Sequence, residues 1–244
     1  MNKNSFDIII LTGRAGAGKS EFIDFLKKTP KEERLQKYHI GEFKELDDFV
    51  WIWNMGVDDD IWESLNKPRL HTINVGHGYT ESHDRDILLT DFMTKKMNHE
   101  LTSHYMSNEK YFEDNSVFVE FARGGDDCFK KTFDHFDKEV LERAAVFFID
   151  NTAEESERRN EARYQAKAER SILAHKTPDE NMVFYRTNDW NKLVEEKREG
   201  YLNVKGVNLP FVSVWNIPEL TDTKQIEERF APPVIKLWDL YNNR

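Results

Sequence analysis

The segment Phe6 to Thr12 (FDIIILT) is a continuous β-branched run around the apolar residues Ile8–Leu11, and such a run predicts a strand buried on both faces. The glycine-rich segment GRAGAGKS follows, and then a helical pattern from about Lys19 to Lys28 that stops near Pro30. Residues Tyr38 to Phe49 hold a second strand. Between positions 50 and 110 the pattern is less regular: Trp51, Trp53 and Trp62, the three consecutive acids Asp58, Asp59 and Asp60, and a helix from about Asp84 to Tyr105. Alternation returns at Ser116–Phe121 (SVFVEF), a short strand bounded by Asn115 and by Gly124-Gly125. A helix from about Cys128 to Ala144 leads to a strand at Ala145–Asp150. Thr152, with Glu155 three residues on, forms a capping box for a charged helix that runs to about Ala174. A further helix starts near Asp189, Phe211–Trp215 is a last strand, and Ile226–Tyr241 is helical with a break at Pro232-Pro233. Strands that alternate with helices imply a parallel sheet with right-handed crossovers. The expectation is one α/β domain over residues 1–244, a three-layer P-loop NTPase-type arrangement with about five parallel strands and a helical insertion at 31–115.

Composition narrows the class of partner. The chain has 244 residues, 35 Lys plus Arg against 45 Asp plus Glu, and a net charge of −10. A global excess of acid disfavours a protein that lives on nucleic acid, which usually needs a basic face, although a few placed cations still suffice for a small anion. The 17 Phe, 8 Tyr and 6 Trp supply bulk for a core, which excludes disorder as the main state. One cysteine, Cys128, excludes an internal disulfide framework and fits a reducing compartment. No apolar stretch approaches the roughly 18 residues that a membrane span requires. MNKNSFDIII carries no signal-peptide pattern, so the expected setting is cytoplasmic.

The chemistry starts at Gly13-Arg14-Ala15-Gly16-Ala17-Gly18-Lys19-Ser20, which satisfies the phosphate-loop (Walker A) pattern G-x-x-x-x-G-K-[ST] between a buried strand and a helix. Glycines let backbone amides approach phosphate oxygens, and the helix start adds the positive end of its dipole. Lys19 would meet the β- and γ-phosphates of ATP, and the Ser20 hydroxyl would ligate Mg²⁺. A phosphate loop names the ligand and leaves the reaction open.

The rest of the chain separates the classes that share this loop. The N-K-x-D base-recognition tetrapeptide of GTPases does not occur, and SVFVEF offers a single acid, Glu120, at its strand end rather than the acid pair of ABC-type and AAA-type ATPases. An acid at the carboxyl end of a parallel strand lies at the crevice where such sheets bind ligands, where it could hold Mg²⁺ or take a proton from an acceptor. The segment VFFIDNTAEESERRNEAR (146–163) resembles the strand and lid-leading helix of the nucleoside-monophosphate-kinase-like (adenylate-kinase-like) P-loop family. The resemblance covers about half the chain. It implies that Arg159 and Arg163, with Arg158 as an adjacent alternative, clamp the transferring phosphoryl group, and that residues 153–188 form a lid. Arg159, Arg163, Lys167 and Arg170 share one helix face by spacing alone, as would a solvated face whose glutamates pair with them. Arg123 is similar to an arginine that follows the equivalent strand in deoxyribonucleoside kinases and contacts phosphoryl or acceptor groups, with two residues intervening here. By the same resemblance Asn216-Ile217-Pro218-Glu219 would pack against the adenine.

The acceptor region matches no signature. Glu42, Asp47 and Asp48 end or follow the second strand, where related kinases keep a general base, and Asp48 is the preferred candidate. Trp51, Trp53 and Trp62 could stack on a base or sugar, although clustered tryptophans are more often core. His71, His77 and His83 with Asp84 and Asp86 match no zinc spacing. His175-Lys176-Thr177-Pro178 is either the far side of the lid or a surface turn. The expected function is ATP- and Mg²⁺-dependent phosphoryl transfer to a small-molecule hydroxyl or phosphate, a nucleoside, nucleotide or related metabolite. The rival readings are a polynucleotide or modified-base kinase and a non-catalytic ATP sensor.

Overall fold

The computed structural model describes residues 4–76, 78–81, 89–168 and 176–244, without the side chains of 167 and 168. His77, His83, Asp84, Asp86, Arg170, His175 and the Lys167 side chain therefore lie outside the described residues. The strands are β1 (Ile8–Gly13), β2 (Glu42–Asp47), β3 (Thr72–Asn74), β4 (Tyr79–Glu81), β5 (Asn115–Ala122), β6 (Ala144–Asp150), β7 (Glu199–Val204) and β8 (Val207–Trp215). The helices are α1 (Lys19–Lys28), α2 (Lys31–Tyr38), α3 (Asp48–Ser64), α4 (Leu89–Glu100), α5 (Cys128–His135), α6 (Lys138–Leu141), α7 (Ala153–Ala168), α8 (Asp179–Phe184), α9 (Trp190–Leu193) and α10 (Thr223–Asn242).

Six strands form the main sheet in the order β2-β5-β1-β6-β8-β7. The first five of these are parallel, and β7 pairs antiparallel with β8 at the edge. β1 sits centrally, with its chain leaving toward β2 and that of β5 crossing to β6. The crevice at the carboxyl ends of β1 and β5 is thus a topological switch point. Alternate residues of β1 enter different cores: Ile8 and Ile10 pack with α5, α6 and Trp190, while Ile9 and Leu11 pack with α1, Tyr38 and α10. The result is the three-layer α/β P-loop domain that the pattern predicts.

Several elements differ from expectation, each for a local reason. The second strand begins at Glu42 because α2 runs through Tyr38, and it ends at Asp47, whose carboxylate accepts from Phe49 N at 2.9 Å and starts α3. α3 was not legible because its apolar residues are spread around the helix. The 128–144 helix is broken in two where Asn98 donates to His135 O and accepts from Asp137 N. The edge strand β7 is joined to β8 through Lys205-Gly206, both with positive φ, the geometry of a two-residue hairpin turn. α10 runs unbroken through Pro232 and Pro233, because Ile226, Phe230, Val234, Leu237, Trp238 and Tyr241 bind one face of it to the sheet. The 84–105 helix is described from Leu89, and the 153–174 helix as far as Ala168. Among the described residues no helix is long and apolar enough to cross a membrane.

Candidate active site

The loop between β1 and α1 is held from behind. Its carbonyl oxygens at Arg14, Ala15, Gly16 and Ala17 all accept from protein donors: Lys19 Nζ (3.2 Å), Ser156 Oγ, Arg159 Nη1 (3.5 Å), and Arg159 Nη1 (3.3 Å) with Asn216 Nδ2 (2.8 Å). Gly18 has φ 112°, and a Cβ there would stand 2.1 Å from Asn216 Nδ2, so both the turn and the close approach demand glycine. Gly18 also offers no side chain to cap α1, which leaves the first amides of that helix for an anion. These features fit a bound polyphosphate.

Arg159 takes part in this support rather than in a clamp. Its side chain is fully buried, and its guanidinium is spent on Glu155 (2.7 Å), on the loop carbonyls and on Asn216 O (2.6 Å). Arg158 is exposed and pairs with Glu155 and Glu219. Arg163 is the arginine of α7 that lines the cleft, where it is paired with Glu21 in the first turn of α1. The segment expected near adenine is likewise engaged beneath the loop: Arg229 donates to Asn216 Oδ1 at 2.7 Å and to Pro218 O at 2.6 Å. Arg14 ties the loop outward, donating to Asp150, Asn151 O and Tyr185 O.

In front of the loop lies a cavity of about 270 Å³, into which Lys19, Ser20, Asp47, Asp48, Glu120 and Arg123 all project. The register explains this convergence. Leu11 is level with Glu120 across β1 and β5, and Asp47 is level with Glu120 across β2 and β5. Burial pushes the Glu120 carboxyl up to about 7, opposed by Lys19 and reinforced by the neighbouring acids. Burial and the adjacent Asp48 push Asp47 up to about 6, with Phe49 N and Lys19 acting against them.

Arg123 departs from its expected contact with a phosphoryl or acceptor group. All five of its N–H groups are donated within the protein: Nε to Thr132 Oγ1, Nη1 to Asp48 Oδ2 (2.5 Å) and Ala122 O, Nη2 to Thr90 O and Thr94 Oγ1. Both members of the Arg123–Asp48 pair are buried. Arg123 is therefore the group that orients Asp48.

The opposite wall comes from the segment after α7. Lys176, Thr177, Pro178, Asn181 and Tyr185 line the cavity, and Asn160 of α7 holds Thr177 by a hydrogen bond at each end of its amide. The β3–β4 hairpin meets this wall, with Thr80 Oγ1 donating to Asn181 Oδ1 at 2.8 Å. Lys176 had a signal in its place before Pro178, whereas Asn160, Asn181 and Tyr185 had none, because each acts through a contact more than fifteen residues away.

Other candidates resolve as structure. Asp59 is buried and caps the hairpin through Leu70 N, His71 N and Thr72 N, while Asp60 binds Arg69, Asn74 and Tyr79. Trp51 packs on the core under Lys96, Trp53 lies edge-on to Tyr79, and Trp62 is exposed. Cys128 is buried beside Asp189, and burial pushes its thiol up to about 12. Among the described residues no group of three or more His, Cys, Asp or Glu is arranged to hold a metal by itself.

No family model matches this chain, and no curated protein matches it. Among solved structures it is similar to a gluconokinase from Sinorhizobium meliloti 1021 (13% identity, 98% of this chain and 97% of that one, TM-score 0.46). It is also similar to TT1252 from Thermus thermophilus (16% identity, 95% and 97%, TM-score 0.45). A third is shikimate kinase from Acinetobacter baumannii in complex with shikimate (18% identity, 79% and 78%, TM-score 0.36).

Proposed function

We propose that the protein is an ATP- and Mg²⁺-dependent phosphotransferase acting on a small molecule. The observation that carries this reading is the meeting, in one cavity, of a phosphate loop and two carboxylates: Lys19 and Ser20 on one side, Glu120 and the Arg123-bound Asp48 on the other. A nucleotide-binding switch needs the phosphate loop and an acid for Mg²⁺ but has no use for Asp48, which Arg123 holds in the same cavity.

The backbone from Gly13 to Ser20 would cradle the phosphates, and Lys19 and Arg163 would neutralise charge that develops on the γ-phosphoryl oxygens. Ser20 and Glu120 would hold Mg²⁺, which would offset the negative charge of the phosphates. Asp48, fixed by Arg123, would orient the acceptor hydroxyl and receive its proton. The acceptor oxygen forms a bond to Pγ, and the bond from Pγ to the bridging oxygen breaks, leaving its electron pair on ADP. In this reading residues 31–115 supply the acceptor wall, and residues 153–188 form a lid that excludes water. The domain division is part of the proposal.

The test is a γ-phosphate-labelled ATP assay against nucleosides, nucleotides, sugars and oligonucleotides, with Lys19→Ala as control. The expected result is label in one acceptor class that disappears in the control. Label found solely as inorganic phosphate would overturn the reading in favour of a switch or hydrolase, and label solely in oligonucleotides would assign the polymer-end kinase instead.

A further inference from the structure

We infer that the acceptor is a small uncharged ring compound bearing several hydroxyls, of the nucleoside or free-sugar kind, and that it enters without a phosphate or carboxylate of its own. This rests on the phosphotransferase reading and concerns the end of the cavity away from the phosphate loop.

The charges at that end are already matched. Arg123 has no N–H left, as its five donors are all placed within the protein. Lys176 is held between Glu161 (2.9 Å) and Asp179 (2.8 Å), with its side chain nearly buried. Lys19 and Arg163 belong to the phosphate end, on Arg14 O and Glu21 respectively. Among the described residues lining the cavity, no cation remains for an anionic acceptor. Asp47, Asp48 and Glu120 line the same space, so a second phosphate or a carboxylate would meet acceptor oxygens there rather than free cationic donors.

A positively charged acceptor is not favoured either. Asp48 is paired with Arg123, Asp47 accepts from Phe49 N at the start of α3, and Glu120 is the group that would hold Mg²⁺, so each acid of the cavity already has an assigned partner. What the wall does offer is ring and aliphatic surface from Phe49, Ile52, Tyr79 and Tyr185, beside the polar groups of Thr177 and Asn181. That mixture suits a ring with hydroxyls on its rim. The cavity, at about 270 Å³, lies just below the usual range of about 300–1,000 Å³ for ligand pockets, so an acceptor sharing it with a γ-phosphate is small.

The experiment measures kcat/KM of the full chain with labelled ATP and Mg²⁺ for matched pairs: adenosine against AMP, cytidine against CMP, glucose against glucose 6-phosphate, gluconate and glucosamine. The expected result is at least a hundredfold preference for the uncharged member of one pair. Which pair responds separates nucleoside from sugar. Asn181→Arg, which adds a cation to the acceptor wall, should narrow that preference tenfold or more by improving the anionic member. A preference for AMP, CMP, glucose 6-phosphate, gluconate or glucosamine would overturn the inference while leaving the phosphotransferase reading intact. ATP turnover that labels no acceptor would overturn both.

Discussion

Glu120 and Asp47 stand level on neighbouring strands; burial raises the proton affinity of both, Asp48 adds to it in each, and Asp47 adds to it at Glu120. Between the ordinary carboxyl value near 4.5 and about 7, the folded chain binds more protons at Glu120 than the unfolded chain does. Stability from this group is therefore complete at the acid side and is lost as pH rises through the folded value. Glu120→Gln should leave the Tm at pH 5 nearly unchanged, raise it by about 2–6 °C at pH 8, and flatten its pH slope, as calorimetry across that range would record. The same variant should lose phosphotransfer at least a hundredfold. A Tm slope identical to that of the parent would mean that Glu120 titrates as it would in water. The Arg123–Asp48 pair makes a different prediction. Arg123→Lys keeps the charge but loses the planar fork, so Asp48 is no longer fixed. We expect kcat to fall 10- to 100-fold with the KM for ATP unchanged, because the Arg123 N–H groups are all held within the protein; a raised KM for ATP would restore the direct phosphate contact that the sequence suggested.

At the scale of elements, α7 is the informative case, since the sequence placed its arginines on one face but could not say what lay beneath that face. Arg159 and Arg163 are four residues apart, which leaves them about 40° apart around the helix axis. That difference decides everything here: one guanidinium passes under the phosphate loop and the other reaches the cleft. Arg159→Ala would take the buried donor from Glu155 and from the carbonyl of Asn216, and leave Ala17 O with Asn216 Nδ2 alone. It should destabilise the protein by about 2–4 kcal/mol and weaken ATP binding tenfold or more, measured by denaturant unfolding and by titration. Arg163→Ala, on the half-exposed side, should lower kcat while changing stability by less than about 1 kcal/mol. Equal stability losses in the two variants would refute the division of roles. The contrast also shows what was legible. GRAGAGKS and SVFVEF could be read because their chemistry is local, a turn of glycines and a strand end. Arg123 could not be assigned from its neighbours, because its partners Asp48, Thr90 and Thr94 arrive from an insertion with no periodic signal. β7 escaped notice for a related reason, as an edge strand whose exposed side carries Glu199, Tyr201 and Asn203 announces no core.

At the scale of the whole molecule, three segments far apart in sequence close one space: the loop after β1, the β3–β4 hairpin and the stretch from Lys176 to Tyr185. Hairpin and lid wall meet at one narrow place, where Thr80 is bonded to Asn181 and Gly78 lies against Lys176 and Pro178. A Cβ on Gly78 would stand 2.9 Å from Lys176 O and 3.0 Å from Pro178 Cγ, so a side chain there must push the two walls apart. Neither wall belongs to the sheet core, and the strain can be relieved by displacing the hairpin, so Gly78→Ala should cost less than about 1 kcal/mol of stability. Its effect on chemistry should be larger. If closure keeps water from the γ-phosphate, separating the walls raises the share of turnovers that end on water. We expect the ratio of free phosphate to phosphorylated acceptor to rise about tenfold in Gly78→Ala, with the KM for ATP little altered because the phosphate loop is untouched. Thr80→Val, which removes the hydrogen bond without adding bulk at the contact, should move the ratio in the same direction by a smaller factor. An unchanged ratio in both variants, together with an unchanged Tm, would mean that the hairpin and the lid wall touch without guarding the reaction.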